Sequence, residues 1–270
     1  MAGLAVFGIT GRMGQALVRA LRETSAPRLE LCGALASKAS PRLAQDAVAE
    51  GAPSGVLVTA DPRIALRGAA VAVDFSLPQC VAEHAGMCRD LEVPLLVGAT
   101  GLDAETRAAL EAAATKVAVV IAPNTSIGVA VLHRLVALAA RALGQGFDVE
   151  VSEAHHRMKR DAPSGTALAL GEAVARARGG TLAELAVYER HGSAAARVPG
   201  SIGFAVLRAG DIVGEHTVTF ATAGERVELT HRASDRMIFA RGALRAAEWL
   251  VGRSPGLYGM ADVLGFQEAR

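Results

Sequence analysis

Several features are scarce in this chain of 270 residues. Cysteine occurs three times, at Cys32, Cys80 and Cys88, without the paired spacing of a disulfide framework, which suits a reducing compartment. Aromatic residues make up 4% of the chain, and its 28 basic side chains are nearly cancelled by 27 acidic ones. Neither a broad phosphate-binding face nor a set of base-stacking platforms is indicated, so nucleic acid is not an expected partner. A long uninterrupted apolar run is missing too. The greasiest stretch, GVAVLHRLVALAARAL, is broken by His133, Arg134 and Arg141 and reads as a helix of a soluble domain, not a membrane span. The opening LAVFGI is short, has no basic region before it and runs into a glycine cluster, which fits a first strand better than a signal peptide. The expected location is the cytoplasm. What is abundant is apolar side chain: at 51% hydrophobic residues the chain can bury a sizeable core.

A metal centre is tempting where Cys80, His84 and Cys88 recur every four residues on the helix predicted from Pro78 to Asp90. At about 1.5 Å of rise per residue the two thiols stand roughly 12 Å apart along the axis, too far for one ion. They read instead as packing residues of a half-buried face, and no metal site is expected.

From Leu4 to about Ile121, short apolar runs (LAVFG, LELCGAL, VAVDFS, PLLVGAT, VAVVIA) alternate with helical spacing. Parallel strands need crossover connections, so this alternation predicts an α/β, Rossmann-like doubly wound sheet. The first turn, GITGRMG, places Gly8, Gly11 and Gly14 between a strand and an amphipathic helix. Three glycines can simply make a tight turn, but in this context they favour a pyrophosphate resting on the helix start. Arg12 either adds a charged contact to phosphate or is a solvated arginine. The second strand ends in Ala36, Ser37 and Lys38, with no acid to bind the adenosine ribose of NAD, so NADPH is expected to be accepted, with Ser37 and Lys38 facing its extra phosphate. Two more loops fall at carboxyl ends of strands, VGATGL and APNTSIGV; each is an ordinary turn or a contact to the nicotinamide end of the cofactor.

After Asn124 the pattern changes. A helix from about Ser126 to Leu143 leads into FDVEVSEAHH, where Phe147, Val149 and Val151 alternate with Asp148, Glu150 and Ser152 as in a strand with one polar face. Further on, SIGFAVLRAGDIVGEHTVTFATAGERVELTHRAS predicts three strands in an antiparallel meander, part of an open mixed or antiparallel sheet with few charges on one face, inviting a partner subunit. Between them stands EAHHRMKRDAPSGTAL, residues 153 to 168. Zinc is disfavoured because neighbouring His155 and His156 diverge at a strand end and no cysteine lies nearby. The arrangement fits an anion pocket. The Gly165 and Thr166 amides and the Ser164 and Thr166 hydroxyls, at a helix start, receive carboxylate oxygens beside the charge of Lys159, while a histidine handles a proton. In the blander alternative the histidines and Ser164 only cap strand and helix.

EAHHRMKRDAPSGTAL resembles the signature of the dihydrodipicolinate reductases, also called 4-hydroxy-tetrahydrodipicolinate reductases. GITGRMGQ, VDFSLP, GATG, APNTSIGV, RVPGSIGFAVLRAGDIVGEHTV and HRASDRMIFARGA follow in the family's order over nearly the whole chain. The resemblance implies a cofactor domain of residues 1–126 completed by 236–270, and a substrate and tetramerisation domain of 127–235. It implies NADPH or NADH as cofactor, a cyclic imine dicarboxylate as substrate and a homotetramer in the diaminopimelate route to lysine. Carried over by motif, His155 is the acid/base group, Lys159 a proton donor and His156 a substrate contact, and Gly165 and Thr166 bind a carboxylate. Gly8, Ile9, Thr10, Gly11, Arg12 and Met13, then Gly98, Ala99 and Thr100, then Ala122, Pro123, Asn124 and Thr125 hold the cofactor. Two departures stand out. Some relatives carry an acidic-basic pair where Ala36 and Ser37 stand, and Thr125 replaces a bulkier residue, which implies a different lid over the nicotinamide. Arg236 is either a second carboxylate ligand or an ordinary helix-start arginine. An aspartate-semialdehyde dehydrogenase would need a nucleophilic cysteine near the nicotinamide, where none is expected. A non-catalytic nucleotide sensor would have no use for a proton donor facing a carboxylate pocket.

Overall fold

In the computed structural model, which describes residues 1–25, 27–192 and 196–266, strands and crossover helices alternate from the start. β1 (Ala2–Phe7), α1 (Arg12–Glu23), β2 (Leu29–Leu35), β3 (Val58–Thr59), α2 (Pro62–Ala65) and β4 (Val71–Asp74) come first. Then follow α3 (Pro78–Asp90), β5 (Leu95–Val97), α4 (Ala104–Ala114) and β6 (Ala118–Ile121). The middle of the chain forms α5 (Ile127–Leu143), β7 (Asp148–His155), α6 (Gly165–Ala177), α7 (Leu182–Leu185), β8 (Ala186–Val187), β9 (Ile202–Arg208), β10 (Gly214–Thr222) and β11 (Glu225–Ala233). The last elements are α8 (Met237–Leu250), β12 (Gly256–Tyr258) and α9 (Met260–Val263). Two compact units result, Met1–Ile127 with Met237–Arg270, and Gly128–Arg236.

The first unit is the doubly wound sheet expected from the sequence, in the order β12-β6-β5-β4-β1-β2-β3 with every pairing parallel. α3 and α4 pack together and against the sheet, while α8 packs against α1 and the central strands. Strands covered on both sides carry continuous apolar sequence; accordingly all four residues of β4 and all three of β5 are buried. α3 opens on Pro78, whose fixed φ suits a first helical turn. The strand order reverses between β1 and β4, the place where open α/β sheets take ligands.

The second unit holds a mixed sheet, β11-β10-β7-β9-β8. The expected meander is corrected here. β10 and β11 do form an antiparallel hairpin, but β9 lies parallel to β7 and β8, and β7 stands between β9 and β10. The chain after β9 must therefore cross the end of β7, where the Ala209 amide donates to the His155 carbonyl (2.9 Å) and the Arg157 amide to the Gly210 carbonyl (3.2 Å). One face of this sheet is covered by apolar residues of α5 and α6, with Leu132, Val136, Leu170 and Val174 against Val149, Val151, Val218 and Phe220. The stretch Ile127–Gly146 is long and apolar enough to cross a membrane by length and composition alone; in the fold its Leu132, Val136 and Ala140 belong to this core. Val206, Leu207 and Val227 of the sheet are exposed.

Candidate functional site

The first cluster of expected site residues lies at the carboxyl ends of β1, β2, β5 and β6. Gly8 has φ +73°, and a side-chain carbon there would stand 2.7 Å from the Phe75 carbonyl oxygen, so the turn requires glycine. The Gly8 and Ile9 amides donate to the Leu35 carbonyl (3.0 and 3.1 Å), and the Gly11 amide donates to the Gly8 carbonyl (3.0 Å). Ile9 puts its side chain into the core. α1 then begins at Arg12 with no side-chain cap and no acid in its first turn, which leaves the Arg12 and Met13 amides at an open, electropositive helix start beside Thr10 and Gly11. Ser37 and Lys38 are exposed just beyond β2. Gly98 and Thr100 flank buried Ala99 after β5, and exposed Pro123 follows buried Ala122 after β6. Asn124 turns its Oδ1 to the Ser126 amide (2.9 Å). Thr125 turns into the fold. Its side chain is buried and its hydroxyl donates to the Phe239 carbonyl of α8 (2.7 Å). A backbone cradle with no room for side-chain carbons, an open helix start and loops at the reversal of strand order fit a dinucleotide. Cys80, His84 and Cys88 do not converge, because His84 turns to Asp74.

The second cluster is built on β7. Strand periodicity continues the buried face of Val149 and Val151 into Glu153 and His155, which are 4% and 8% exposed. A buried carboxylate needs partners. Glu153 accepts from His155 Nδ1 (2.5 Å), from both terminal nitrogens of Arg208 (2.8 Å each) and from the Ser164 amide (3.0 Å). Burial alone would raise its pKa; the donors outweigh it and hold the carboxyl below the usual range. His155 is pushed below the usual histidine range by burial, against the hydrogen bond to Glu153, while the charges of Lys159 and Arg208 push it further down. With the Nδ1 proton committed to Glu153, Nε2 is the ring's working nitrogen. It lies 3.0 Å from where a side-chain carbon on Gly214 would stand.

His216, edge-on to His155 with ring centres 5.1 Å apart, is driven down to about 4 by burial first and by neighbouring His155 next, so it is neutral near pH 7. Its Nε2 pairs with the Ser164 hydroxyl (3.1 Å), which also accepts from the Ala167 amide (3.2 Å) as the N-cap of α6. The Ser164 hydroxyl is thus engaged in building the corner. Gly165 is exposed and Thr166 half-buried at the helix start. The Gly165 amide donates to the Asp161 carboxylate, and Lys159 Nζ stands 2.9 Å from the same group. Burial would raise Asp161, but Lys159 and Gly165 outweigh it and hold it low. His156 is half-buried, and Arg236 is exposed just before α8.

Residues 2–125 match the family described as "Dihydrodipicolinate reductase, N-terminus", and residues 128–264 match "Dihydrodipicolinate reductase, C-terminus". This chain belongs to the dihydrodipicolinate reductase family. It is 51% identical over 265 residues, 98% of each chain, to the 4-hydroxy-tetrahydrodipicolinate reductase of Thiobacillus denitrificans. It is 49% identical over 269 residues, 99% of each chain, to that of Anaeromyxobacter dehalogenans. Among solved structures, the dipicolinate-bound dihydrodipicolinate reductase of Paenisporosarcina sp. TG-14 matches with TM-score 0.77 over 97% of this chain and 98% of its own, at 24% identity. An amine dehydrogenase of Mycobacterium smegmatis shares the fold, with TM-score 0.62 and 14% identity over 95% of this chain and 94% of its own. Dihydrodipicolinate reductases depend on a pyridine nucleotide, and the first unit carries the Rossmann-like sheet such a cofactor uses.

Three members of the β7 cluster escape a reading of the sequence alone: Glu153, Arg208 and His216. Glu153 had a usable signal, since alternation places it on the buried side with Val151 and His155. Arg208 is 55 positions from Glu153, and His216 is 52 from Ser164, so only the fold brings them in.

Proposed function

We propose that this protein reduces 4-hydroxy-tetrahydrodipicolinate to tetrahydrodipicolinate with NADPH or NADH, releasing water, in the diaminopimelate route to lysine. The observation that carries this reading is His155, oriented by buried Glu153 beside Lys159 and the start of α6, in a chain that matches the family from end to end. The substrate is a six-membered cyclic imine with two carboxylates. A substrate carboxylate takes the place of the Asp161 carboxylate on the Gly165 amide and the Lys159 ammonium, with the Thr166 amide beside them, by hydrogen bonding and by charge. His156, next along the chain from His155, is the further substrate contact. Loss of the ring hydroxyl with a ring hydrogen releases water and leaves a conjugated imine. When bound, the reduced nicotinamide supplies hydride to carbon four. One proton is then required by the ring: the Lys159 ammonium is the donor, and His155 Nε2, an acceptor while Glu153 holds the Nδ1 proton, is the acid/base group that takes a proton up and passes it on. Gly8 to Met13, Gly98 to Thr100 and the backbone of Ala122 to Thr125 hold the nucleotide, with Ser37 and Lys38 on the phosphate of NADPH, the preferred form.

The face of the second unit's sheet turned away from α5 and α6, where Ala205 and Leu207 are exposed, supports assembly into a homotetramer. A tetramer mass in light scattering is expected; a monomer contradicts it. The direct test of function is to give the purified protein freshly made condensation product of pyruvate and aspartate semialdehyde, with each nucleotide in turn. Substrate-dependent loss of reduced-nicotinamide absorbance is expected. No loss with either nucleotide overturns the reading.

A further inference from the structure

The motif VDFSLP places at the end of β4 an acid that the proposed reaction does not use. Asp74 has no exposed surface, and His84 of α3 is 8% exposed. A carboxyl so placed is costly unless donors surround it. Asp74 Oδ2 accepts from His84 Nδ1 (2.7 Å) and Oδ1 accepts from the Ser76 amide (2.7 Å). The Ser76 hydroxyl lies 3.3 Å from the same His84 nitrogen, and the imidazole tilts against the Phe7 ring, centroids 4.7 Å apart. One buried cluster thus joins the end of β4, the loop after it and α3.

What the cluster holds in place is the segment Phe75–Leu77. The Phe75 amide donates to the Phe7 carbonyl (3.1 Å), and the Gly98 amide donates to the Asp74 carbonyl (2.9 Å). A side-chain carbon at Gly8 would stand 2.7 Å from the Phe75 carbonyl oxygen, and one at Gly98 would stand 2.1 Å from the Phe75 ring. Phe75 is therefore wedged between the glycine turn and the loop after β5, at the reversal of strand order between β1 and β4. Any displacement of Phe75 must be passed to both loops, because neither has slack to absorb it.

We propose that the Asp74–His84 pair is a positioning device for the nucleotide site, fixing Ser76 and Phe75 at the height on which the glycine turn and the Gly98 loop close around a pyridine nucleotide. The proposal rests on the reading that these loops hold the nucleotide. Both residues act through Phe75 and Ser76, so their loss is felt in nucleotide affinity and not in the chemistry of the ring.

His84→Leu removes the donor and keeps apolar contact with Phe7, whereas His84→Asn keeps an N–H near the Nδ1 position. Titrating NADPH and NADH into the intact protein is expected to give a Kd about tenfold weaker for His84→Leu, the scale of one lost hydrogen bond to a charged group, and within about twofold of wild type for His84→Asn. Turnover at saturating nucleotide and the KM for the dicarboxylate stay unchanged. A folded His84→Leu variant that binds with the wild-type Kd reduces the pair to packing and overturns the proposal. A wild type that binds neither nucleotide removes the site itself, and both readings with it. If His84→Leu does not fold, amide hydrogen exchange in the wild type decides. Protection of the Ser76 amide before nucleotide is added is expected, and exchange there at the rate of an open loop sinks the idea.

Discussion

Where β1 turns into α1, a side-chain carbon on Gly14 would lie 2.5 Å from the Gly8 carbonyl oxygen, and the groups offered to a ligand are backbone amides. Where β7 ends, Glu153, His155, Arg208 and His216 supply side-chain nitrogens and oxygens, and Glu153, His155 and His216 are buried. The first region is built by leaving side chains out, the second by paying desolvation for side chains put in. A region of the first kind binds a rigid, phosphate-bearing group and is damaged by added atoms. A region of the second kind tunes proton affinity and is damaged by removed ones.

The sharpest way to break that contrast is to delete a side chain at the β7 cluster. Lys159→Ala is expected to lower kcat by about 10² to 10⁴, the usual worth of a positioned general acid, with nucleotide Kd unchanged. An unchanged kcat would show that the ammonium has another role. Glu153→Gln is expected to cost about tenfold to a hundredfold in kcat, because the imidazole loses its charged orienting partner. Glu153 holds the His155 pKa up against burial, so this variant also moves the His155 limb of the pH–rate profile to lower pH. Loss of active protein without movement of the profile would mean that Glu153 only supports the fold.

The buried histidine in the same cluster makes stability depend on pH. His216 titrates at about 4 in the folded chain against an ordinary 6.5, so between those values the unfolded chain binds a proton that the folded one refuses. Stability is then fully present above the ordinary value and is lost as pH falls toward the folded one, by roughly 3 kcal/mol at most. His155, also shifted down, acts in the same direction. Thermal melts are expected to show a Tm several degrees lower at about pH 5 than at about pH 7.5, with the difference reduced in His216→Asn. Equal slopes in both proteins would contradict the burial argument. The smallest effect belongs to the nucleotide region's rim. Lys38→Glu is expected to raise the KM for NADPH a few-fold and leave that for NADH alone, since it puts an acid where an extra phosphate is repelled.

The difference between the regions also explains what could be read in advance. Glycine spacing, apolar runs and Pro78 are local signals, and the parallel sheet and the bounds of α3 follow from them. The mixed character of the second sheet follows from its sequence, but a meander of β9, β10 and β11 does not form, because the place of β7 between β9 and β10 depends on long-range pairing that no turn residue encodes. EAHHRMKRDAPSGTAL marks a corner bearing histidine, lysine and an N-cap. The carboxylate that orients His155 stands two positions before it, yet it becomes visible only when strand periodicity is followed past Val151 into polar residues. Arg208 and His216 arrive from other strands and leave no local trace. Thr125 shows the converse, since a site motif says nothing about which way a side chain turns, and here it turns to Phe239.

The most direct measurement compares Gly8→Ala and His155→Ala side by side, reading nucleotide Kd by titration and kcat with the condensation product as substrate. The account predicts that Gly8→Ala weakens nucleotide binding by tenfold or more, on the order of the strain of a side chain at positive φ against the Phe75 carbonyl. It predicts that His155→Ala binds nucleotide like the wild type and loses about 10² to 10⁴ in kcat. A His155→Ala protein that turns over normally, or a folded Gly8→Ala protein that binds NADPH with the wild-type Kd, would contradict it.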